Sequence, residues 1–324
     1  MHTIKKLASA VALATTALSA VAQPAAASAP VRSVMKFSGK VGPSLHQTAP
    51  TRFVEVNGVK LAYRRFGKPS GVPVVFFQHF LGNLDSWDPA VTDGFARTRE
   101  VIIFDNAGVS SSGGEVPKTV EDMAKYGIGL FGALNIKQAD ILGFSLGSLI
   151  AQEVAIERPD LVRKVILVGS APRGGVGMAS LTPEFQAMLG KKHDVPDEIL
   201  LDTFFTPSAE SQAAGREFLN RIRARTVDRD APYGPKEAPN EIAAFAAWGA
   251  PSADSNKYLK SLNKPVLVIS GSNDVIHYTV NSFTLEQNLP HAQLIIYPDS
   301  AHGSFYQYPK LFLQDALTFL DQPV

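Results

Sequence analysis

An α/β fold is predicted, with a mostly parallel sheet, an antiparallel hairpin at its start and a helical insertion late in the chain. Three observations carry this. Short apolar runs recur along the sequence, of the kind that suits strands buried on both faces. Stretches with helical spacing separate them, the alternation expected of βαβ units with right-handed crossovers. The alternation then breaks once, from 173 to 250, in a segment without strand signal.

The hairpin comes first. Phe53–Val56 and Val59–Tyr63 flank Asn57-Gly58, a pair that readily takes the positive φ angles of a two-residue turn. The buried-strand runs are Val74–Phe77, Val101–Phe104, Ala139–Leu142, Val165–Val168, Val266–Ile269 and Leu294–Tyr297. Thr119–Leu134 reads as a helix capped by Thr119, with Glu121 and Asp122 favouring its N-terminal dipole. Leu146–Glu157 is apolar nearly all round, so a buried helix is expected, ending before Pro159. Leu311–Leu320 is amphipathic and closes the chain. Within 173–250, Glu198–Phe205 and Ser211–Arg223 have helical character. So long a segment must carry its own structure, and a helical cap over the sheet's C-terminal edge is the expectation. The core is then 51–172 together with 251–324.

The first residues differ from the rest. His2, Lys5 and Lys6 precede an apolar stretch, Leu7–Ala22, followed by the small-residue groups Ala20-Val21-Ala22 and Ala25-Ala26-Ala27. That is the layout of a secretory signal peptide over 1–27, cleaved after Ala22 or Ala27, and it predicts an exported protein, periplasmic or secreted. Residues 28–50 read as a polar lead-in. The stretch is short and diluted for a spanning helix, and no later one is long enough, so stable membrane insertion is not expected.

Apolar residues make up 45% of the 324, ample for a large core. Lys and Arg number 31 against 30 acids, a net charge of +1 without a basic run, which argues against nucleic acid as a partner. The chain has no cysteine, which excludes disulfides, thiolate metal sites and a cysteine nucleophile.

The chemistry centres on Gly143-Phe144-Ser145-Leu146-Gly147, which follows one buried run and opens the buried helix. A G-x-S-x-G in a strand–turn–helix setting is a nucleophile elbow, with the serine on a strained turn at a helix N-terminus. A serine hydroxyl needs an adjacent base, itself held by a third group. His302 stands in the loop after the last strand run, and Asp274 follows Val266–Ile269 at a strand's C-terminal end. The order Ser145, Asp274, His302 fits such a triad. His277 is placed to line the site without being the base, His291 reads as a surface loop residue, and His46 and His193 read as solvated. Two backbone donors are needed for an oxyanion. Leu146 N–H supplies one, and Phe80 N–H, in Gln78-His79-Phe80-Leu81-Gly82, is the other candidate. An apolar acyl pocket is expected from Phe80, Leu81, Phe144 and, in the insertion, Phe204, Phe205, Phe245 and Trp248.

Together these residues resemble the α/β-hydrolase superfamily over essentially Thr51 to Val324. They look most like its capped single-domain members, namely carboxylesterases, cofactor-free haloperoxidase or perhydrolase relatives, and C–C bond hydrolases. The resemblance implies acyl transfer from a small-molecule substrate to water through a covalent serine intermediate, without a cofactor. C–C cleavage and perhydrolysis use the same triad, and a receptor-like member that binds without turnover shares the fold. Ser145 stands where haloalkane dehalogenases and epoxide hydrolases have an Asp, which argues against both. Gln78-His79 replaces the family's usual His-Gly, leaving the shape of the oxyanion hole open. His79 either faces the pocket and binds substrate or packs as a buried histidine. Ala107, in Asp105-Asn106-Ala107-Gly108, stands where the family commonly has Arg in a structural turn.

Overall fold

Asn57 and Gly58 take φ angles of 51° and 77°, so the chain reverses between β1 (Arg52–Val56) and β2 (Val59–Gly67) as a tight hairpin. The computed structural model describes residues 44–69, 71–234, 237–251 and 256–323; the signal peptide read from 1–27 lies outside these. The buried runs become β3 (Val74–Phe77), β4 (Glu100–Phe104), β5 (Ala139–Phe144), β6 (Val162–Val168), β7 (Val266–Gly271) and β8 (Ala292–Tyr297). They form one eight-stranded sheet in the order β1-β2-β4-β3-β5-β6-β7-β8. β2 pairs antiparallel with both β1 and β4, and every pair from β4 through β8 is parallel.

Alternate residues of the central strands enter two separate cores. Val75, Phe77 and Ile141 belong to one, while Val74, Phe76 and Leu142 belong to the other. This two-sided burial is why the runs are continuously apolar. The first core includes residues of α3 (Val120–Ala133) and α4 (Leu146–Glu157). Thr119 caps α3 as expected, its side chain accepting from Asp122 N–H. The second core includes residues of α2 (Pro89–Ala96) and, near the end of the chain, α11 (Pro309–Asp321). Between β6 and β7 the described residues contain helices and no strand: α5 (Pro183–Leu189), α6 (Ile199–Phe204), α7 (Ala209–Arg223) and α8 (Ala238–Trp248). α9 (Val280–Asn288) follows β7, and the short α10 (Ser304–Gln307) precedes α11.

The end of the expected lead-in is not a free segment. Leu45–Thr48 forms the short helix α1, and Arg225 donates to the carbonyls of His46, Gln47 and Ala49 at 2.8, 2.8 and 2.9 Å. A guanidinium thereby satisfies acceptors that a helix C-terminus leaves open. His46, expected to be solvated, is 2% exposed, with Nδ1 3.0 Å from the Thr92 hydroxyl. Its position depends on a residue far along the chain, so local polarity was a poor guide.

Candidate active site

Ser145 joins β5 to α4 with φ 54° and ψ −123°, a conformation a non-glycine residue adopts only where its surroundings impose it. A Cβ on Gly143 would lie 2.3 Å from the Gly147 carbonyl oxygen, and one on Gly147 would lie 2.0 Å from that of Phe77. The two glycines let β5, α4 and β3 converge beneath the turn. Ser145 N–H donates to the Val168 carbonyl at 3.0 Å, while its side chain makes no cap for α4. The hydroxyl is thus left out of the helix's own bonding, at the end where first-turn N–H groups, Leu146's among them, face outward.

Asp274 lies just past β7 and is 3% exposed. Its Oδ1 accepts from the N–H groups of Ile276 and His277 at 2.9 and 3.0 Å, and its Oδ2 lies 2.8 Å from His302 Nδ1. Burial alone would raise this carboxyl; the neighbouring His302, the hydrogen bond to it and His277 outweigh burial and hold it below the usual carboxylate range. A carboxylate only accepts, so His302 Nδ1 carries the hydrogen that joins the two. His302 sits between β8 and α10, 1% exposed, and its Nε2 has no hydrogen-bond partner among the described residues. It packs on Phe144 at 5.1 Å between ring centroids, and Gly169 leaves room for it, since a Cβ there would meet the imidazole at 2.8 Å.

Ser145 and His302 line one cavity of about 530 Å³. His79, Phe80 and Leu81 line it from the β3 side, and Phe185, Phe204 and Phe245 from the helices between β6 and β7. Three of the residues expected there do not. Phe144 lies beneath, packed edge-on against His79 and tilted against His302; Phe205 packs on Phe218; Trp248 packs on Tyr258 and under the Arg173 guanidinium. Each was read as pocket because an aromatic, in the motif or in the insertion, looks the same in sequence whether it faces a cavity or a core.

His79 faces the cavity and is buried at once, and its Nε2 has no hydrogen-bond partner among the described residues. It is only 6% exposed, with Nδ1 2.8 Å from the Phe80 carbonyl. Burial pushes its imidazole down to about 4, the Phe80 carbonyl opposing and His302 adding to the shift. His277 is not among the residues lining this cavity. Its Nδ1 lies 2.6 Å from the Gly169 carbonyl, and burial, with His302 next, pushes it down to about 3. His193, expected to be solvated, is half-buried beside Asp202, at 3.0 Å.

Two residues that sequence reasoning missed adjoin the Phe80 loop. Glu241 of α8 is 4% exposed; its Oε2 accepts from Leu81 N–H at 3.0 Å and from the Tyr233 hydroxyl at 2.6 Å. Burial pushes its carboxyl up to about 7 against both hydrogen bonds, with Glu237 adding to the rise. The available signal was a lone acid ahead of the apolar stretch Ile242–Trp248.

Fold and site together define a hydrolase scaffold. The sequence profile of the alpha/beta hydrolase fold family matches residues 72–309, and the chain belongs to that family. A solved alpha/beta hydrolase fold protein from Chitinophaga pinensis is 42% identical, covers 86% of this chain and 99% of its own, and superposes with a TM-score of 0.81. A putative non-heme bromoperoxidase, BpoC, of Mycobacterium tuberculosis is 26% identical, covering 78% of this chain and 94% of its own length. 3-Oxoadipate enol-lactonase 2 of Acinetobacter baylyi is 28% identical over 78% of this chain and 90% of its own. The chain is a hydrolase enzyme. No helix among the described residues is long and apolar enough to cross a membrane.

Proposed function

We propose that this hydrolase is a serine enzyme that cleaves carboxylic esters or related acyl substrates through Ser145, His302 and Asp274. The observation that carries the reading is the Asp274–His302 hydrogen bond, which leaves a bare imidazole Nε2 in the cavity that Ser145 enters from its strained turn. Ser145 Oγ attacks the substrate carbonyl while His302 Nε2 takes its proton. Asp274 holds the imidazole in the required tautomer and stabilises the imidazolium without itself taking the proton. The tetrahedral oxyanion rests on the N–H groups of Phe80 and Leu146. Collapse expels the leaving group, which receives the proton from His302. Water then attacks the acyl-enzyme with His302 again as base, releasing the acid and restoring Ser145.

In this reading residues 173–250 act as a cap whose side chains select the acyl group, and residues 1–27 are a signal peptide that exports the protein. Labelling by a fluorophosphonate, located by peptide mass mapping, tests the nucleophile. Wild type is expected to turn over p-nitrophenyl esters and to be labelled on Ser145. Ser145→Ala is expected to lose about 10⁴–10⁶-fold in kcat while keeping the fold. Turnover persisting in Ser145→Ala, or saturable ester binding by wild type with no turnover, overturns the proposal.

A further inference from the structure

We propose that Glu241 is a positioning residue which, with His79, clamps the Phe80–Leu81 peptide from opposite sides and so holds the oxyanion loop in register with α8. This rests on the serine-hydrolase reading above and assigns Glu241 a part in it. The two groups of that peptide point opposite ways because the bond is trans and planar. Its carbonyl, on Phe80, lies 2.8 Å from His79 Nδ1; its N–H, on Leu81, donates to Glu241 Oε2 at 3.0 Å. A carbonyl can only accept, so His79 Nδ1 is the donor and both ends of the peptide are held. The preceding peptide is fixed too, since the His79 carbonyl accepts from Gly82 N–H at 3.0 Å. Phe80 N–H, trans to that carbonyl, is thereby aimed away from Gly82.

The held conformation is one the chain would not choose unaided. Leu81 has φ 59°, the left-handed region that a leucine avoids, and a clamp on its own N–H keeps it there. Glu241 is suited to the task in three respects. It is buried, so the hydrogen bond escapes competition from water. It accepts from Tyr233 through the same oxygen, which orients the carboxyl. It also stands on α8, whose Phe245 packs against Phe80 at 5.8 Å between centroids, so helix and loop are joined by two contacts. An oxyanion hole works by having its donors aimed before charge develops. A loop free to turn at Leu81 would bind substrate through the same cavity wall yet receive the oxyanion poorly.

The test uses the full chain and an ester that wild type turns over. Glu241→Leu is expected to lower kcat about 10–100-fold with KM within about 2-fold, as expected of misaimed rather than missing groups. Glu241→Gln keeps an acceptor oxygen and is expected to stay within about 3-fold of wild type. Inhibition by an aliphatic trifluoromethyl ketone reads the hole itself: Ser145 Oγ bonds to its carbonyl carbon, His302 takes the hydroxyl proton and the carbonyl oxygen becomes an oxyanion. Its inhibition constant is expected to rise by the factor lost in kcat, while the unreactive methyl ketone binds unchanged. If Glu241→Leu does not fold, the other jaw decides: His79→Phe is expected to show the same loss and His79→Asn, with an N–H near the same place, to recover it. The clamp is overturned if the folded Leu or Phe variant keeps kcat and ketone affinity, if the loss falls on KM alone, or if Glu241→Gln falls as far as Glu241→Leu. Ser145→Ala, run beside these, separates the two readings. Turnover in it sinks the serine mechanism, whereas an inactive Ser145→Ala with undiminished Glu241 and His79 variants sinks the clamp alone.

Discussion

At the scale of single residues, burial sets the charge state of three imidazoles. His46, His79 and His277 are pushed down to about 3, 4 and 3, with burial the largest cause for each. For His46 this has a consequence for stability that can be isolated by substitution. Its folded value lies below the unfolded value of 6.5, so as pH falls the unfolded chain takes the proton first. The stability involved is fully present above 6.5 and is lost as pH falls from 6.5 toward about 3, at about 1.4 kcal/mol per pH unit. Between pH 7 and pH 5, urea unfolding of His46→Gln is expected to lose about 2 kcal/mol less than wild type. Equal losses would mean that His46 is protonated, or solvated, in the folded protein. Residues of this kind were illegible in the sequence because their burial is made by distant partners, Arg225 for His46 and Leu81 for Glu241. Ser145, by contrast, was legible because the constraint upon it is local: two glycines, each two residues away, are demanded by the turn it sits on.

At the scale of elements, strands were the legible part, because burial on both faces writes a continuous apolar run into the sequence. Helices were legible where one face is polar, as in α3 and α11, or where a long apolar run follows the Ser145 turn, as in α4. α2 was missed although Asp88 caps it and Pro89 opens it, since it is short and holds Gly94, and α9 buries Asn281 and Ser282 where apolar spacing was sought. Glycine itself separates positions of strict close approach from positions of tolerance. A Cβ on Gly147 would sit 2.0 Å from the Phe77 oxygen and 2.6 Å from that of Gln78, and β3 cannot retreat without breaking its pairing with β4 and β5. Gly132, on an exposed turn of α3, meets nothing within 4 Å. Thermal and urea denaturation should therefore separate two chemically identical changes. Gly147→Ala is expected to destabilise by about 3 kcal/mol and to displace the nucleophile turn, while Gly132→Ala is expected to stabilise by about 0.5–1 kcal/mol. Similar effects of the two substitutions would contradict the packing of α4 against β3.

At the scale of the whole molecule, the proposed mechanism divides labour between the sheet and the helices inserted between β6 and β7. The sheet's C-terminal edge presents Ser145, Asp274 and His302 from three separate loops, and their order along the chain made them legible. The insertion supplies most of the apolar cavity wall, including Leu189, Ile199, Leu200 and Phe204. Which of its apolar residues face inward was not legible, because Phe204 and Phe205 are neighbours and only the first meets the cavity. If the insertion alone sets acyl length, a change there should alter selectivity without touching the chemical step. Leu200→Trp adds bulk to a cavity of about 530 Å³ at a wall residue of α6, remote in sequence from the nucleophile turn. In a series of p-nitrophenyl esters, kcat/KM for the longest acyl chains is expected to fall at least about 10-fold relative to the acetate, since a lost fit of one or two methylenes is worth that much. The rate with acetate should stay near wild type, because the Asp274–His302 pair and the Phe80 loop are untouched. A uniform fall across the series would instead mean that α6 helps to hold the catalytic groups themselves, and the division between sheet and insertion would have to be redrawn.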